Sequence, residues 1–437
     1  MKTIPNNKLA ILGFGREGQS TLRFLLKQNK NSNITILDQN PDLKSLIKQN
    51  FPHHLKKINF QSGSQYLTDL NLFHIVYKTP GINPHQKEII TAKKKGIIFS
   101  SNTKLFFEIC KGKIIGITGS KGKSTTTSLI YHLLKQNKIK TKLIGNIGTP
   151  ALDFLGHNKK DVIYCMELSS FQLMDLTQSP HIAVFHHVFP EHLDYHKNFT
   201  EYLKAKQNIA LFQTNRNHFI YNANSPTAIK TSKLTLAKLH PFQDVLPNFL
   251  KAENIMLPGK HNLYNVQPAI IIGKILHLSQ TKIKKAVRTF NPLPHRLENA
   301  GTYQTISFID DSLATNPEAT IAAIQTYQDN LGTIILGGAS KNLDYSKLIN
   351  PLQQTEVKNI ILFPPTGDKI HKTLKTKLKK TKFFPVKSMV SAIKLAYKHT
   401  PSNTVCLLST ASPSFGIFKD YTDRGNQFKK YAQQLGI

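Results

Sequence analysis

A glycine-rich turn between an apolar strand and a helix constrains the fold of this chain more than any other feature. The apolar run Lys113 to Thr118 leads into Gly119-Ser120-Lys121-Gly122-Lys123-Ser124-Thr125, and a helical stretch from Ser128 to Asn137 follows. Strand, glycine turn and helix in this order predict a parallel α/β unit whose helix N terminus binds phosphate. The strict phosphate-loop spacing is not met, because Ile117 stands where that motif has its first glycine.

The residues of this turn match the chemistry of a nucleotide phosphate. Gly119 and Gly122 let backbone N–H groups close on phosphate oxygens. Lys123 can reach the β- and γ-phosphate oxygens, and Ser124 can ligate Mg²⁺. We therefore predict a nucleotide-binding domain that uses Mg²⁺ or Mn²⁺.

A second glycine turn lies near the start of the chain. The strand Leu9-Ala10-Ile11-Leu12 meets Gly13-Phe14-Gly15-Arg16-Glu17-Gly18, and a second strand from Ile34 ends at Asp38. An acidic residue at this distance beyond the glycines is typical of a domain that binds NAD. On these residues alone, an NAD-dependent oxidoreductase and a turn that only packs a helix on a strand both stay open.

A third α/β stretch runs from about Pro292 to the end of the chain. Its apolar strands begin at Ile306, Thr333, Asn359 and Val405, and helical segments lie between them. This alternation predicts mostly parallel sheets, with ligands at the carboxyl ends of the strands. We expect an α/β protein of three domains: a Rossmann-like N-terminal domain (1–105), a P-loop ATPase-type central domain with a mostly parallel sheet (106–291) and a Rossmann-like C-terminal domain (292–437).

The net charge of +33 raises nucleic acid as a partner, but the kind of basic residue argues against it. Only six of the 58 basic residues are arginines, the residues that favour base readout, and the lysines occur in nearly every segment. We expect no specific nucleic-acid binding, although a polyanion-binding protein is a competing hypothesis.

Three scattered cysteines fit a reducing compartment. Met1 to Asn7 lacks the charged and apolar regions of a signal peptide. We find no apolar run of the roughly 18 residues that a membrane span needs. We expect a cytoplasmic monomer that does not insert into membranes.

Carboxylates and imidazoles gather after the phosphate loop. Glu167 follows an apolar strand, and Glu191, His192, Asp194 and His196 come soon after. His192 and His196 have the i,i+4 spacing of a zinc site, so zinc stays open beside Mg²⁺ or Mn²⁺.

Taken together, these motifs resemble the Mur ligase family over the whole length of the chain. The phosphate loop, the run from Gly259 to Asn265 and Pro294-His295-Arg296 are similar to Mur and folylpolyglutamate ligases generally. Glu167-Leu168-Ser169-Ser170-Phe171-Gln172-Leu173 and Asp311-Ser312 with Ala314-Thr315-Asn316 are similar to the members that add D-glutamate. Further matching stretches are Thr79 to Ile82, Gly145 to Pro150, Glu191 to Asp194 and Leu407 to Gly425.

The resemblance implies an ATP-dependent ligase of the cytoplasmic stage of peptidoglycan synthesis. Such an enzyme adds D-glutamate to UDP-N-acetylmuramoyl-L-alanine through an acyl phosphate. Another Mur-type or folylpolyglutamate ligase with a different acceptor is the alternative.

The resemblance also implies roles for individual residues, which fall into four groups. Those for ATP are Gly119, Ser120, Lys121, Gly122, Lys123, Ser124, Thr125, Asn262, Asn265, Arg296 and Asp311. Those for the UDP substrate are Gly15, Arg16, Glu17, Asp38, Asn146 and Ser169. Those for the acceptor are Thr315, Lys341, Ser414, Phe415 and Tyr421. Those for two metal sites are Ser124, Glu167, His192 and a carbamylated Lys206, with Lys123, His192 and Lys206 as the catalytic set.

Two positions set limits on this assignment. Without the resemblance, Lys206 is a solvated helix lysine. Leu313 stands where the family pattern has lysine, so the acceptor loses one ammonium partner, and Lys341 is the nearest replacement that the sequence offers.

Overall fold

Three β-sheets organise the chain, for which a computed structural model describes residues 8–28, 33–157, 159–340 and 343–436. The first sheet has five parallel strands in the order β3-β2-β1-β4-β5. The strands are β1 Leu9–Leu12, β2 Ile34–Asp38, β3 Ile58–Ser62, β4 Ile75–Lys78 and β5 Ile98–Ser100. The helices are α1 Arg16–Gln28, α2 Leu43–Asn50, α3 Lys87–Lys94 and α4 Asn102–Ile109.

The glycine turn after β1 is fixed by close backbone packing. Gly13 has a φ of +91°, and a Cβ added there would lie 2.1 Å from Oγ1 of Thr79. Only glycine therefore lets the turn pass the Thr79-Pro80-Gly81 loop that follows β4.

The second sheet has six parallel strands in the order β11-β10-β9-β6-β8-β7. The strands are β6 Lys113–Thr118, β7 Thr141–Gly145, β8 Ile163–Glu167, β9 Ile182–Phe185, β10 His218–Asn222 and β11 Lys238–Phe242. The helices are α5 Lys123–Gln136, α6 Ser170–Leu173, α7 Phe199–Leu211, α8 Pro226–Ser232, α9 His261–Ile275 and α10 Gln280–Arg288. The register pairs Ile117 with Glu167 and Thr118 with Phe185, so the ends of β6, β8 and β9 meet at one edge.

The third sheet has the order β12-β13-β17-β14-β15-β16. The strands are β12 Glu298–Tyr303, β13 Ile306–Asp310, β14 Leu331–Gly337, β15 Asn359–Phe363, β16 Lys382–Pro385 and β17 Val405–Leu408. The helices are α11 Pro317–Thr326, α12 Ile349–Gln353, α13 Thr366–Leu374, α14 Met389–His399 and α15 Tyr421–Leu435. Five strands are parallel, and β12 pairs antiparallel with β13.

The chain divides into two compact units. The first contains residues 1–245 and 264–287, and the second contains 246–263 and 288–437. Within the first unit, one hydrophobic core runs from the first sheet into the second, and Phe106 meets Tyr164 edge to face at 5.1 Å. Arg23 adds a bidentate contact to Asp153 at 2.9 and 3.0 Å.

The predicted α/β fold is confirmed, and two details of the prediction were wrong. The helix expected from Ser128 begins at Lys123, because Gly122 caps it directly after the phosphate loop. The sequence also gave no indication of β12, whose residues are half exposed and include Gly301 at a bulge. The domain boundaries at 105 and 291 stay a prediction. Across the described residues, every helix is too short or too polar to cross a bilayer.

Phe308 tests the core of the third sheet. Its ring is fully buried and lies 5.1 Å from the ring of Tyr397 and 5.8 Å from that of Phe428. We expect Phe308→Ala to cost about 3–5 kcal/mol and to lower the melting temperature by at least about 6 °C, because a large cavity remains. Met256, which is 57% exposed in the same unit, is the control, and Met256→Ala should change the melting temperature by less than about 2 °C. Equal shifts in calorimetry would contradict this placement of the core.

Candidate active site

Two glycines at positive φ shape the phosphate loop, and hydrogen bonds from Ser120 attach the loop to the segment that follows β9. Gly119 and Gly122 have φ values of +153° and +85°. The backbone N–H of Ser120 donates to the carbonyl of His187 at 2.9 Å, and its hydroxyl donates to the carbonyl of Phe189 at 2.9 Å. Ser120 therefore shapes the loop from within, while the N terminus of α5 supplies the field that attracts anions.

Lys123 lies over this loop. Its ammonium donates to the carbonyls of Gly119 and Ser120, both at 3.0 Å. Lys121 pairs with Glu191 at 2.7 Å. Ser124 and Thr125 follow in the first turn of α5. The loop thus places Lys123 beside the helix N terminus, where a phosphate group would bind.

Asn265 closes the far side of the loop. Its backbone carbonyl accepts a hydrogen bond from Oγ1 of Thr126 at 3.1 Å. A Cβ added to Gly122 would lie 2.3 Å from Oδ1 of Asn265. Oγ1 of Thr126 also contacts Nε2 of His186 at 2.9 Å. Burial lowers the pKa of His186 to about 3, so its imidazole is neutral.

Glu167 offers a carboxylate oxygen to a cation. The residue ends β8 and is 1% exposed, and Oε1 accepts from Nδ2 of Asn146 at 2.7 Å. Oε2 is buried, and within the described part of the chain no donor reaches it. A buried carboxylate oxygen without a proton donor is costly unless a cation is near, which fits a Mg²⁺ or Mn²⁺ ligand.

Lys206 is buried beneath the loop, against the expectation of a solvated helix lysine. It is 1% exposed, and its amine contacts the carbonyl of Gly119 at 2.9 Å and Oγ1 of Thr118 at 3.3 Å. Burial, with the charge of Lys123 as a second cause, lowers its pKa well below the usual value. The expectation was wrong because the face of α7 that carries Lys206 packs on the end of β6.

His192 and His196 both pack on the ring of Phe171. His192 has a φ of +56°, and its ring packs on Phe171 at 5.0 Å. Nε2 of His196 is bonded to Oγ of Ser170 at 3.0 Å. Nδ1 of His196 is buried and has no hydrogen-bond partner among the described residues. Within the described ranges, however, the pair joins no third carboxylate, imidazole or thiol in a cluster of metal-type ligands, so the structure does not favour a zinc site built from the pair.

The predicted residues for the UDP substrate meet around the glycine turn of the first sheet. Arg16 donates to the carbonyl of Gly148, next to Asn146. Oε1 of Glu17 accepts from Nε2 of Gln172 at 2.6 Å, and Gln172 also forms a capping box with Ser169. Burial raises the pKa of Glu17 to about 7.

Asp38 shapes the turn that carries Gly15. Its carboxylate accepts from the backbone N–H of Phe14 at 2.6 Å and of Asn40 at 2.8 Å. Both carboxylate oxygens are thus engaged by the protein's own backbone. Each oxygen can still accept a further hydrogen bond, so the role of Asp38 in nucleotide binding stays a prediction.

Two residues of this region have contacts that the sequence did not predict. Gln172 connects Ser169 to Glu17, as described above. Lys78 is 5% exposed and donates to the carbonyl of Ile82 at 3.0 Å and to the hydroxyl of Tyr195 at 3.3 Å. Burial lowers the pKa of Lys78 to about 8. Gln172 lies in a matched motif and Lys78 directly precedes one, but the sequence carries no signal for these pairings.

Three of the predicted ATP residues belong to the second unit, and each has different polar neighbours. Asn262 donates to the carbonyl of Pro258 at 2.6 Å and lines a cleft of about 610 Å³ with Gly259 and Thr326. Asp311 accepts from Oγ of Ser409 at 2.7 Å, and burial raises its pKa to about 7. Arg296 has a buried Nε that no acceptor among the described residues reaches.

The predicted acceptor residues belong to the same unit. Ser414 is 3% exposed, whereas Phe415 and Tyr421 are 65% and 40% exposed. Thr315 follows the loop after β13 and is half-buried. Lys341 lies outside the described residues, so its compensation for Leu313 stays a prediction.

One cluster of metal-type ligands occurs within the described ranges, and it is already neutralised. His295, Glu298 and Asp310 place ligand atoms within 4.8 Å of one another. Lys429 donates to both oxygens of Glu298 at 2.9 and 3.0 Å, and Nδ1 of His295 contacts Asp310 at 2.7 Å. The ammonium of Lys429 therefore supplies the positive charge that a metal ion would otherwise bring to this cluster.

The fold and the phosphate loop define a nucleotide-binding α/β protein, and comparison with known proteins gives its family. Three family models match: the Mur ligase MurD-like N-terminal domain at 7–100, the Mur ligase middle domain at 117–244 and the Mur ligase glutamate ligase domain at 295–411. The chain belongs to the Mur ligase family.

Relatives that match over almost the whole chain support the same family. The chain is 33% identical to the UDP-N-acetylmuramoylalanine–D-glutamate ligase of Acetivibrio thermocellus, over 99% of this chain and 98% of that protein. It is 31% identical to the enzyme of the same name from Clostridium tetani, with the same coverage. The structure of MurF ligase from Thermotoga maritima in complex with ADP shares the fold, with a TM-score of 0.62 and 14% identity over 98% of this chain and 95% of that one.

Gly122→Ala tests the close packing of the phosphate loop. We expect ATP affinity to fall at least tenfold, because a side chain there would be strained at positive φ and would clash with Asn265. Gly63→Ala is the matched control, since Gly63 has a similar φ of +80° but its added Cβ meets open space among the described residues. Titration calorimetry should separate the two variants. A Gly122→Ala protein with unchanged ATP affinity would contradict the described loop.

Proposed function

We propose that this chain catalyses the ATP-dependent addition of D-glutamate to UDP-N-acetylmuramoyl-L-alanine in the cytoplasm, as a step of peptidoglycan synthesis. The observation that carries the proposal is the full-length similarity to enzymes of that name at 33% and 31% identity. The phosphate loop, with Lys123 above it and Glu167 and Lys206 beside it, supports the ATP-dependent chemistry.

The reaction needs two steps, because a carboxylate is a poor electrophile. A carboxylate oxygen of the muramoyl-alanine substrate forms a bond to the γ-phosphorus of ATP, and the bond to ADP breaks. The amine of D-glutamate then attacks the acyl carbon and displaces phosphate. Lys123 is placed to neutralise charge on the transferred phosphoryl group.

We assign the other nucleotide and substrate contacts by the same resemblance. Gly119, Ser120, Lys121, Gly122, Ser124, Thr125, Asn262, Asn265, Arg296 and Asp311 contact ATP. Gly15, Arg16, Glu17, Asp38, Asn146 and Ser169 hold the UDP substrate. Thr315, Lys341, Ser414, Phe415 and Tyr421 hold D-glutamate. The connections from Glu17 through Gln172 to Ser169, and from Arg16 to Gly148, support one continuous substrate region.

Two divalent cations, Mg²⁺ or Mn²⁺, belong to the proposal. Ser124, Glu167, His192 and a carbamylated Lys206 would hold them, and the unpaired oxygen of Glu167 supports this ligand set. When bound, such cations neutralise the phosphate oxygens during transfer. Burial lowers the pKa of Lys206 and so favours its neutral amine, which is the form that reacts with CO₂ to give a carbamate.

An acceptor panel tests the function directly. The enzyme receives ATP, Mg²⁺ and UDP-N-acetylmuramoyl-L-alanine with D-glutamate, L-glutamate, L-alanine or L-lysine, and phosphate release and product mass are measured. We expect D-glutamate alone to give product. Ligation of another amino acid, or of L-glutamate to a folate supplied in place of the nucleotide substrate, would establish the alternative ligase.

Lys123→Ala tests the phosphoryl-transfer role. We expect turnover to fall by about three orders of magnitude or more, because this charge acts chiefly in the transition state. Lys135→Ala, in an exposed position on the same helix, is the control and should keep normal turnover. Near-normal ADP release by Lys123→Ala with both substrates present would refute the assignment.

Lys206→Ala tests the carbamate. We expect the variant to be inactive and to regain part of its activity with acetate or formate, which can place a carboxylate in the vacated position. Lys204→Ala, in an exposed position two residues earlier on α7, should need no rescue. An inactive variant that no short carboxylate restores would contradict an anionic role for Lys206.

A further inference from the structure

The first turn of α15 carries a fully buried arginine that the proposed mechanism does not use. Arg424 is 0% exposed, and the helix that holds it is capped by Asp420. Its Nε donates to Oγ of Ser312 at 3.0 Å, and its two terminal nitrogens donate to the carbonyls of Ser312 at 2.7 Å and Ser412 at 3.1 Å. Hydrogen bonds from a charged donor in a buried setting are stronger than neutral ones, so they fix the groups that accept them.

The accepting groups belong to loops at the carboxyl ends of neighbouring strands. Ser312 follows β13 and Ser412 follows β17, which are paired in the third sheet. Ser312 also donates from Oγ to the carbonyl of Tyr421 at 2.8 Å, so one hydroxyl connects the first loop to the start of α15. Arg424 therefore joins two strand ends and a helix at one point.

A third loop, after β14, packs on the same guanidinium. A Cβ added to Gly338 would lie 3.3 Å from a terminal nitrogen of Arg424 and 2.3 Å from the carbonyl of Pro413. The N–H of Ala339 donates to that same carbonyl at 2.8 Å. The loops after β13, β14 and β17 are thus fastened around Arg424.

The neighbour of Arg424 lets the helix approach this closely. A Cβ added to Gly425 would lie 2.2 Å from Nδ1 of His295 and 2.5 Å from Oδ2 of Asp310. Both of those side chains are buried and bonded to each other, so they cannot move aside cheaply. Arg424 and Gly425 together therefore let the start of α15 pack closely on the strand ends.

Two of these loops carry residues proposed to hold the acceptor. Thr315 lies in the loop after β13, and Ser414 lies in the loop after β17. Leu313, next to Ser312, brings no charge of its own. The positions of Thr315 and Ser414 therefore depend on loops that Arg424 holds through hydrogen bonds.

The charge of Arg424 persists at neutral pH. Burial lowers its pKa to about 10, and the nearby carboxylates of Asp310 and Asp311 oppose that shift. A cation fixed in a low-dielectric setting exerts a stronger field than one in water. The loops are therefore held by a donor that stays charged at neutral pH.

We infer that Arg424 is a positioning residue of the acceptor site, which holds the loops after β13, β14 and β17 in the arrangement that binds the dicarboxylate acceptor. The inference rests on the proposed function for the identity of that acceptor. Arg424 uses its donors within the protein, so it acts through the loops and not by contact with substrate.

The test compares Michaelis constants in the full-length enzyme. In Arg424→Gln we expect KM for D-glutamate to rise at least tenfold, while KM for ATP and for UDP-N-acetylmuramoyl-L-alanine stay within twofold. Arg424→Lys keeps the charge and should recover part of the loss. Ser312→Ala removes one acceptor of the guanidinium and should raise KM for D-glutamate about threefold or more. Lys430→Gln removes an exposed charge from the same helix and is the control.

Ser312→Ala decides the matter if Arg424→Gln does not fold. An unchanged KM for D-glutamate in Ser312→Ala and in whichever Arg424 variants fold would overturn the inference. A parallel rise of all three Michaelis constants would also overturn it, because it would show a general structural role. If the wild-type enzyme prefers another acceptor, the proposed function fails, and the same comparison made with that acceptor still tests Arg424.

Discussion

A lysine amine buried beneath a phosphate loop is the constraint on which the rest of the central domain depends. Lys206 lies against the carbonyl of Gly119 and the hydroxyl of Thr118, where a plain ammonium would be poorly solvated. Such a group must be neutral, paired or converted to another species. The proposed conversion to a carbamate would replace an unfavourable buried ammonium by a carboxylate that can ligate a cation.

The parallel sheet explains why these groups meet. Adjacent strands β6, β8 and β9 end at one edge, so the phosphate loop, Glu167 and the segment leading to His192 leave the sheet together. The glycine turn after β1 of the first sheet contacts the second-sheet region at two points. Glu17 accepts a hydrogen bond from Gln172, and Arg16 donates to the carbonyl of Gly148. One compact unit thereby joins the proposed UDP and phosphate regions.

Much of this arrangement is readable in the sequence, because it depends on local pattern. The strands Leu9–Leu12 and Lys113–Thr118 are continuous apolar runs, and the glycines that follow them have few conformational alternatives. The start of α5 was placed too late, since polar Lys123 to Thr127 carry no apolar period although they are helical. The sequence also predicted ligand groups near the strand ends, which is where Glu167 and Asp311 lie.

The remaining features depend on contacts between distant segments, which no local pattern encodes. Lys206 and Arg424 look like solvent-facing helix residues until their helices are packed, and both are then buried. The role of Gln172 depends on Glu17, which is 155 residues away. Resemblance to a family supplied the assignment of Lys206, whereas the contacts of Arg424 became visible only in the structure.

Carbon-13 NMR of the enzyme equilibrated with ¹³C-bicarbonate tests the proposed carbamate on Lys206. We expect one carbamate carbon signal from the wild-type enzyme that is absent from Lys206→Ala and retained in Lys204→Ala. A wild-type enzyme without that signal under conditions in which it is active, or a signal that survives in Lys206→Ala, would show that Lys206 is not carbamylated.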